Sequence, residues 1–575
     1  MKNILKFDFS NFRGDFFGGL TAGIVALPLA LAFGEQTELG AIAGLYGAIA
    51  LGVLAAFFGG TPIQVSGPTA PMTVVSAVVI SDSVAHAGSV EAAFPMIIAT
   101  FFLAGLIEAL LGILRLGKYI RFIPYSVVSG FMSGIGVIIV ITQIFPFFGF
   151  HAPEGGPLGT LRALHEIPEI ANAYSLGIAV LTIAIIYLFP KISKVVPGTL
   201  VALLLLSVVA FFLIPEGSVI RLNSAGPIPT GLPTVYFDFF GVFSDFKNFE
   251  LIAEYAVTLA FLGAIDSLLT SVVADNITKT KHGSDQELIG QGIGNIGAAL
   301  IGGLPGAGAT MRTVINARSG GKTKISGIIA GLFLLVVLLG AGSIVGYIPN
   351  AVLAGILITV GISIIDYKGL KHLTKIPRSD AFVMITVLLL TVFVDLLVAV
   401  AAGMVIAALM FMKKISDVVD EKASILKLKD YAPEAAWADE QVISREFADK
   451  VFVKHLDGPL FFGFANKFQA RMLEMPETRI VIIRMDRVPY IDQTGMYALE
   501  DSIQELHKLG VKVAFVGLNN QEYDMLRGIN LIPGLVPDAL CFKNFPEAVQ
   551  WVQDYLKGKN IENSGESETP DFREI

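Results

Sequence analysis

Long apolar runs separated by short polar connections fill the first 414 residues of the chain. They lie near 17–34, 41–58, 63–80, 94–114, 124–145, 174–189, 198–214, 254–273, 288–301, 305–317, 325–345, 348–364, 381–394 and 396–412. A helix needs roughly 20 largely apolar residues to cross the hydrocarbon core of a membrane. The pattern therefore predicts about fourteen spans, the third and tenth of them partial. After Lys413-Lys414 it changes abruptly, and residues 415–447 are charged and polar and read as a linker. Residues 448–558 read as an α/β domain. In it Val451–Leu456, Arg479–Met485 and Val511–Val516 are expected strands. Thr494–Lys508 is an expected helix with Met496, Leu499, Ile503 and Leu506 on one face. Gly510 suits the end of that helix. Pro546–Leu556 suits a last helix with proline at its first position. The polar residues 559–575 are expected to be disordered.

The two partial spans break in the same way. The first break reads Gly59-Gly60-Thr61-Pro62-Ile63-Gln64-Val65-Ser66-Gly67-Pro68-Thr69-Ala70-Pro71, and the second reads Gly302-Gly303-Leu304-Pro305-Gly306-Ala307-Gly308-Ala309-Thr310-Met311-Arg312. Both open with Gly-Gly-x-Pro, and glycine and proline at this density interrupt a helix. Irregular backbone at membrane depth is tolerated only where it is packed in protein or lines a cavity. Matching breaks in two halves of a chain point to a transporter's substrate site. Half-helices with facing N-termini present backbone N–H groups and positive dipole ends, which suit an anion. Ser66, Thr69 and Thr310 add hydroxyl groups. The alternative is that the glycines only permit close helix packing.

Composition supports a polytopic membrane protein, with 54% hydrophobic and 16% charged residues, against about 25% charged in soluble domains. The net charge of −8 is unevenly spread. With the N-terminus in the cytoplasm, the even-numbered connections fall inside. All but the short second one are basic, carrying Arg115, Lys118 and Arg121; Lys191 and Lys194; Lys279 and Lys281; Arg318, Lys322 and Lys324; and Lys368, Lys371, Lys375 and Arg378. This agrees with the positive-inside rule and places both termini in the cytoplasm. Met1 to Lys6 has no cleavable-signal pattern, and the single cysteine, Cys541, allows neither an internal disulfide nor a cysteine metal cluster.

Ionisable residues within spans are expensive and are site candidates by default. Asp266 lies mid-span with Thr270 four residues on, so the two share a helix face. An unpaired carboxylate in hydrocarbon costs about 3 kcal/mol or more. The pair offers oxygen ligands for Na⁺, or a proton site at the carboxylate; the alternative is a structural hydrogen bond between helices. Arg312 keeps its charge and needs a counter-charge, either Asp266 or a bound anion, unless it snorkels to the headgroups. Glu108 and Asp395 are weaker candidates. In Ile491-Asp492-Gln493-Thr494-Gly495 a hydroxyl could cap the helix or accept a phosphate. There is no P-loop, zinc spacing or nucleophile elbow, and the chain is not expected to be an enzyme.

At these residues the chain resembles the sulfate permease (SulP) family. The resemblance rests on Phe12-Arg13-Gly14-Asp15, Pro28 to Phe33, Ser66-Gly67-Pro68-Thr69, Asp266 to Asp275, Gly290-Gln291-Gly292-Ile293-Gly294-Asn295 and Gly320-Gly321-Lys322-Thr323. The C-terminal part resembles a STAS domain, in which Asp492-Gln493-Thr494-Gly495 matches a segment that is phosphorylated in anti-sigma-factor antagonists. The family implies seven-plus-seven inverted repeats, core and gate domains, elevator-like movement, a homodimer, and an anion between half-helices three and ten. The expected anion site is Phe33, Ser66, Thr69, Ala309, Thr310 and Arg312. The expected coupling-ion site is Asp266, Thr270, Gly308 and Thr310, with Na⁺ as the only metal in question, and Thr494 is a candidate regulatory position. Asp266, Thr270 and Thr310 resemble the cyanobacterial sodium–bicarbonate members, which have glycine where Arg312 stands. An arginine there resembles the sulfate, dicarboxylate and animal anion exchangers.

These features imply Na⁺- or H⁺-coupled transport of sulfate or bicarbonate across a bacterial inner (plasma) membrane. The expected partners are a small inorganic anion, membrane lipid and a second copy of the chain, with no nucleic acid and no cofactor besides the coupling ion. The rival readings are a proton-coupled dicarboxylate transporter, an uncoupled anion channel, and a membrane receptor that signals through its STAS domain.

Overall fold

The computed structural model describes residues 8–120, 123–153, 155–193, 197–225, 231–244, 246–394, 396–422, 425–427, 450–461 and 478–558. Asp395, most of the expected linker and all of the expected tail lie outside them. The chain divides into two units, Met1–Ala407 and Ala408–Ile575.

A helix stands at each of the fourteen apolar runs. They are α1 (Phe12–Glu35), α2 (Gly40–Phe58), α3 (Ala70–Ala87), α4 (Val90–Ile113), α5 (Tyr125–Thr142), α6 (Ala173–Leu188), α7 (Gly198–Leu213), α8 (Phe246–Thr278), α9 (Ser284–Leu300), α10 (Thr310–Arg318), α11 (Lys324–Val345), α12 (Asn350–Ile364), α13 (Arg378–Phe393) and α14 (Leu396–Lys422). Among the described residues, eight helices are long and apolar enough to cross a membrane. The two breaks are resolved into extended backbone followed by a helix. Strand β1 (Ser66–Gly67) precedes α3, and β2 (Ala307–Gly308) precedes α10. The third apolar run, expected at 63–80, therefore starts its helix later, at Ala70, and continues to Ala87. Pro68 and Pro71 explain the shift, because proline lacks the N–H that an interior helical position must donate.

The helix pairings repeat at an offset of seven. Helix α1 packs on α11 as α8 packs on α4, α2 packs on α11 as α9 packs on α4, and α2 and α9 meet each other. A second set joins α5 to α12 and α13, and α6 to α7 and α12. The repeat is what two inverted halves would produce, and β1 and β2 pair antiparallel, Ser66 with Gly308 and Gly67 with Ala307. Small residues permit the contacts. A Cβ on Gly292 of α9 would lie 2.4 Å from the Ala109 nitrogen of α4, and one on Gly306 would lie 2.1 Å from the Gly67 oxygen. Only glycine allows backbones this close.

The second unit contains a five-stranded sheet in the order β3 (Ile425–Lys427), β4 (Val451–Asp457), β5 (Ile480–Arg487), β6 (Lys512–Val516), β7 (Cys541–Phe542). Strand β3 runs antiparallel to β4, and the other pairs are parallel. Helices α15 (Gln493–Lys508), α16 (Asn520–Gly528) and α17 (Phe545–Leu556) complete it. The apolar face of α15 buries Leu499, Ile503 and Leu506 against Val481, Ile483 and Phe515, as the spacing predicts. Two boundaries differ from the sequence reading. The stretch read as a linker begins inside α14, which runs to Lys422, and it contains β3, a three-residue edge strand too short to stand out by pattern. The helix cap is Asp492, which accepts from the Gly495 N–H at 2.7 Å, so Thr494 is not the cap; it stands exposed in the first turn.

Candidate anion and cation site

The antiparallel pairing of β1 with β2 brings the starts of α3 and α10 to one short ladder, and the two helices leave it in opposite directions. Neither N-cap residue, Thr69 or Ala309, caps its helix with a side chain. The first break is held by side chains of α10. Asn316 Nδ2 donates to the Ile63 carbonyl at 2.8 Å, Thr313 Oγ1 accepts from the Val65 N–H at 3.1 Å, and Arg312 Nη2 donates to the Pro68 carbonyl at 2.7 Å. Arg312 is only 2% exposed. It does not snorkel to a surface. A Cβ on Gly67 would lie 2.6 Å from Arg312 Nη1, so glycine there makes room for the guanidinium.

The second break is held from α8. Ser267 Oγ accepts from the Gly308 N–H at 3.1 Å. Thr270 Oγ1 donates to the Gly308 carbonyl at 2.8 Å and lies 2.6 Å from Thr310 Oγ1. A hydroxyl has one proton. That of Thr270 goes to Gly308, so Thr310 is the donor between the two threonines, and its lone pairs are left to accept. One turn before Thr270, Asp266 is half-buried and faces Thr69 and Arg312. Asp266 Oδ2, Thr69 Oγ1 and Arg312 Nη1 are buried, and none of them makes a well-formed hydrogen bond among the described residues, with Asp266 and Thr69 facing each other. Asp266 also borders an apolar cleft lined by Ile123, Val127, Phe131, Leu262 and Val400. An unpartnered carboxylate oxygen, hydroxyl and guanidinium N–H are expensive to bury. Together they can hold an anion, through the arginine and hydroxyl, and a cation, through the carboxylate and threonine oxygens.

The family pattern of the sulfate permeases matches residues 12–387, and that of the STAS domain matches residues 443–543. The chain belongs to the sulfate permease family. It is 41% identical over 551 residues to the bicarbonate transporter BicA of Picosynechococcus, covering 95% of both chains. The solved transmembrane domain of a cyanobacterial BicA superposes with a TM-score of 0.64 at 45% identity, covering 68% of this chain and 98% of that one. SLC26A9 shares the fold at a TM-score of 0.81 and 19% identity over 96% of this chain and 92% of that one. This family member is thus a membrane transporter of small anions and not an enzyme.

Of the expected site residues, Ser66, Thr69, Asp266, Thr270, Gly308, Ala309, Thr310 and Arg312 come together around the paired breaks. Phe33 is buried in the main apolar core of the first unit. Glu108 is 1% exposed, deep in the protein, and accepts from Asn295 Nδ2 at 2.7 Å. The sequence reading gave no roles to Gln64, Ser267, Ser271, Glu287, Thr313 or Asn316, all buried polar residues around the breaks. Glu287 lies in the first turn of α9, where an acidic residue is common as helix-terminal charge. The spacing of Glu287, Gln291 and Asn295 by four residues was the available signal.

Proposed function

We propose that this transporter takes up bicarbonate together with Na⁺ across the bacterial plasma membrane. The oxygen set at the second break carries the reading. Thr270, the Gly308 carbonyl and Thr310 stand within one hydrogen-bonded cluster, with Thr310 presenting lone pairs and Asp266 one turn earlier on the same helix. Unwound carbonyls and hydroxyls of this kind suit Na⁺ in broken-helix transporters. The similarity to a bicarbonate transporter along 95% of both chains favours bicarbonate over sulfate or a dicarboxylate.

The anion is held by Arg312 Nη1, by the hydroxyls of Ser66 and Thr69, and by the starts of α3 and α10 beside Ala309. Arg312 and Asp266 lie in each other's field. Without a cation, Asp266 holds part of the arginine's charge. A Na⁺ at Asp266 offsets that carboxylate and leaves the guanidinium to the anion. Coupling is then direct electrostatics between adjacent sites. Thr494, exposed beside the Asp492 cap, is the regulatory position we propose in the STAS domain.

Reconstituted proteoliposomes test this with radiolabelled bicarbonate and sulfate under imposed Na⁺ or pH gradients. Concentrative bicarbonate uptake that needs Na⁺ is the expected result. Uptake driven by a pH gradient without Na⁺ would instead assign the Asp266 site to a proton. Conductance without coupling would favour a channel.

A further inference from the structure

Three residues at spacing four, Glu287, Gln291 and Asn295, form one stripe along α9 facing both breaks. Glu287 is 1% exposed and accepts four hydrogen bonds. Its Oε2 takes the N–H groups of Gly60 and Thr61, each at 2.8 Å. Its Oε1 takes Gln64 Nε2 at 2.8 Å and Gln291 Nε2 at 2.7 Å. Gln291 Nε2 also donates to Ser66 Oγ at 2.6 Å. Asn295 serves the other break, with Nδ2 donating to the Gly306 carbonyl at 3.1 Å and Oδ1 accepting from its N–H at 2.8 Å.

The direction of these bonds is fixed by chemistry. An ionised carboxylate only accepts. The Gln291 group against Glu287 must therefore be its amide NH₂, and the same nitrogen meets Ser66. Ser66 accepts there, and its own proton remains to be donated elsewhere.

We propose that Glu287, acting through Gln291, sets Ser66 as a hydrogen-bond donor to the transported oxyanion. Glu287 and Gln291 are then positioning residues that make the first break selective for acceptors, and so for anions over cations. The assignment rests on the anion-site reading above. It goes further in naming two residues that need not touch the ligand and in giving the polarity they impose. The Thr310 hydroxyl at the second break has the opposite polarity, since it spends its proton on Thr270.

A double-mutant cycle with radiolabelled bicarbonate uptake tests it. Ser66→Ala and Gln291→Ala should each raise the anion KM by roughly three- to tenfold. The double variant should be no worse than either single one, because both remove the same donor. The Na⁺ concentration for half-maximal uptake should stay unchanged in all three. Additive losses, or an equal change in Na⁺ dependence, would overturn the proposal.

A second measurement is independent of transport. Glu287→Gln replaces an acceptor by a donor against Gly60, Thr61, Gln64 or Gln291. Hydrogen exchange of the full chain should then quicken within residues 59–69 and not within 302–312. Unchanged exchange at Gly60 and Thr61 would show that Glu287 does not hold this break and would overturn its role. If the wild-type protein moves no anion while exchange responds as expected, the anion reading fails and the anchoring role of Glu287 stands.

Discussion

The first break contains no ionisable side chain, whereas the second ends in Arg312 and lies against Asp266. The first is held in place by charge and hydrogen bonds from elsewhere, from Glu287 on α9 and from Arg312, Thr313 and Asn316 on α10. The second is held mainly by hydroxyls of α8, with Asn295 behind it. A shared Gly-Gly-x-Pro opening therefore sets two similar helix starts, and the surrounding side chains make them chemically unlike. One wall offers donors. The other combines a fixed cation with a carboxylate and oxygen acceptors, so the proposed ion coupling falls at the second break and the proposed anion recognition spans both.

The largest effect should come from Asp266→Asn. An amide supplies no charge to hold Na⁺ or a proton, and Arg312 loses its opposite charge. Na⁺-driven uptake should fall by about a hundredfold or more, since interactions with a charged group are worth about 1.5–3 kcal/mol each. Protein in the membrane fraction should remain at wild-type amounts. Persisting coupled uptake would place the cation elsewhere. Next in size is Arg312→Gly, which installs the residue implied for the sodium–bicarbonate members. Loss of a charge-assisted donor should raise the anion KM roughly tenfold. The Na⁺ concentration for half-maximal uptake should fall, because the guanidinium no longer competes for Asp266. Opposite shifts for the two ions are the signature. A rise in both would mean that Arg312 acts chiefly as scaffold, through its bond to Pro68.

Much of this arrangement is legible in sequence. Hydropathy places a helix at every apolar run because burial in lipid leaves a composition signal tens of residues long. The two breaks, Asp266, Thr270 and Arg312 stand out because proline, glycine and charge are costly in such runs. The supporting network is not legible in the same way. Gln64, Ser271 and Thr313 are uncharged, and what matters is which atom each faces across two or three helices. Thr61 Oγ1 lies 2.8 Å from Ser271 Oγ, two hundred and ten positions apart in the chain. No local pattern encodes such a pair. Strand β3 and helix α16 escape for the opposite reason, since each is short and its partners supply most of its definition.

A smaller effect is expected from Thr270→Val. Thr310 loses its acceptor and the Gly308 carbonyl loses its donor, so the oxygen set loosens without losing charge. The Na⁺ concentration for half-maximal uptake should rise roughly tenfold, with the anion KM little changed.

The smallest effect, and the sharpest on the first wall, is Thr69→Val. Thr69 Oγ1 is buried facing Asp266, makes no well-formed hydrogen bond among the described residues, and does not cap α3. Burying such a group costs about 1–3 kcal/mol. Replacing it by a methyl group of similar volume should therefore raise the thermal unfolding midpoint of the ligand-free protein by a few degrees. The same change should raise the anion KM roughly threefold if the hydroxyl is kept to donate to the ligand. Gain of stability with loss of affinity is the pattern of a binding group. Loss of both would make Thr69 structural and leave Ser66 as the first wall's hydroxyl donor.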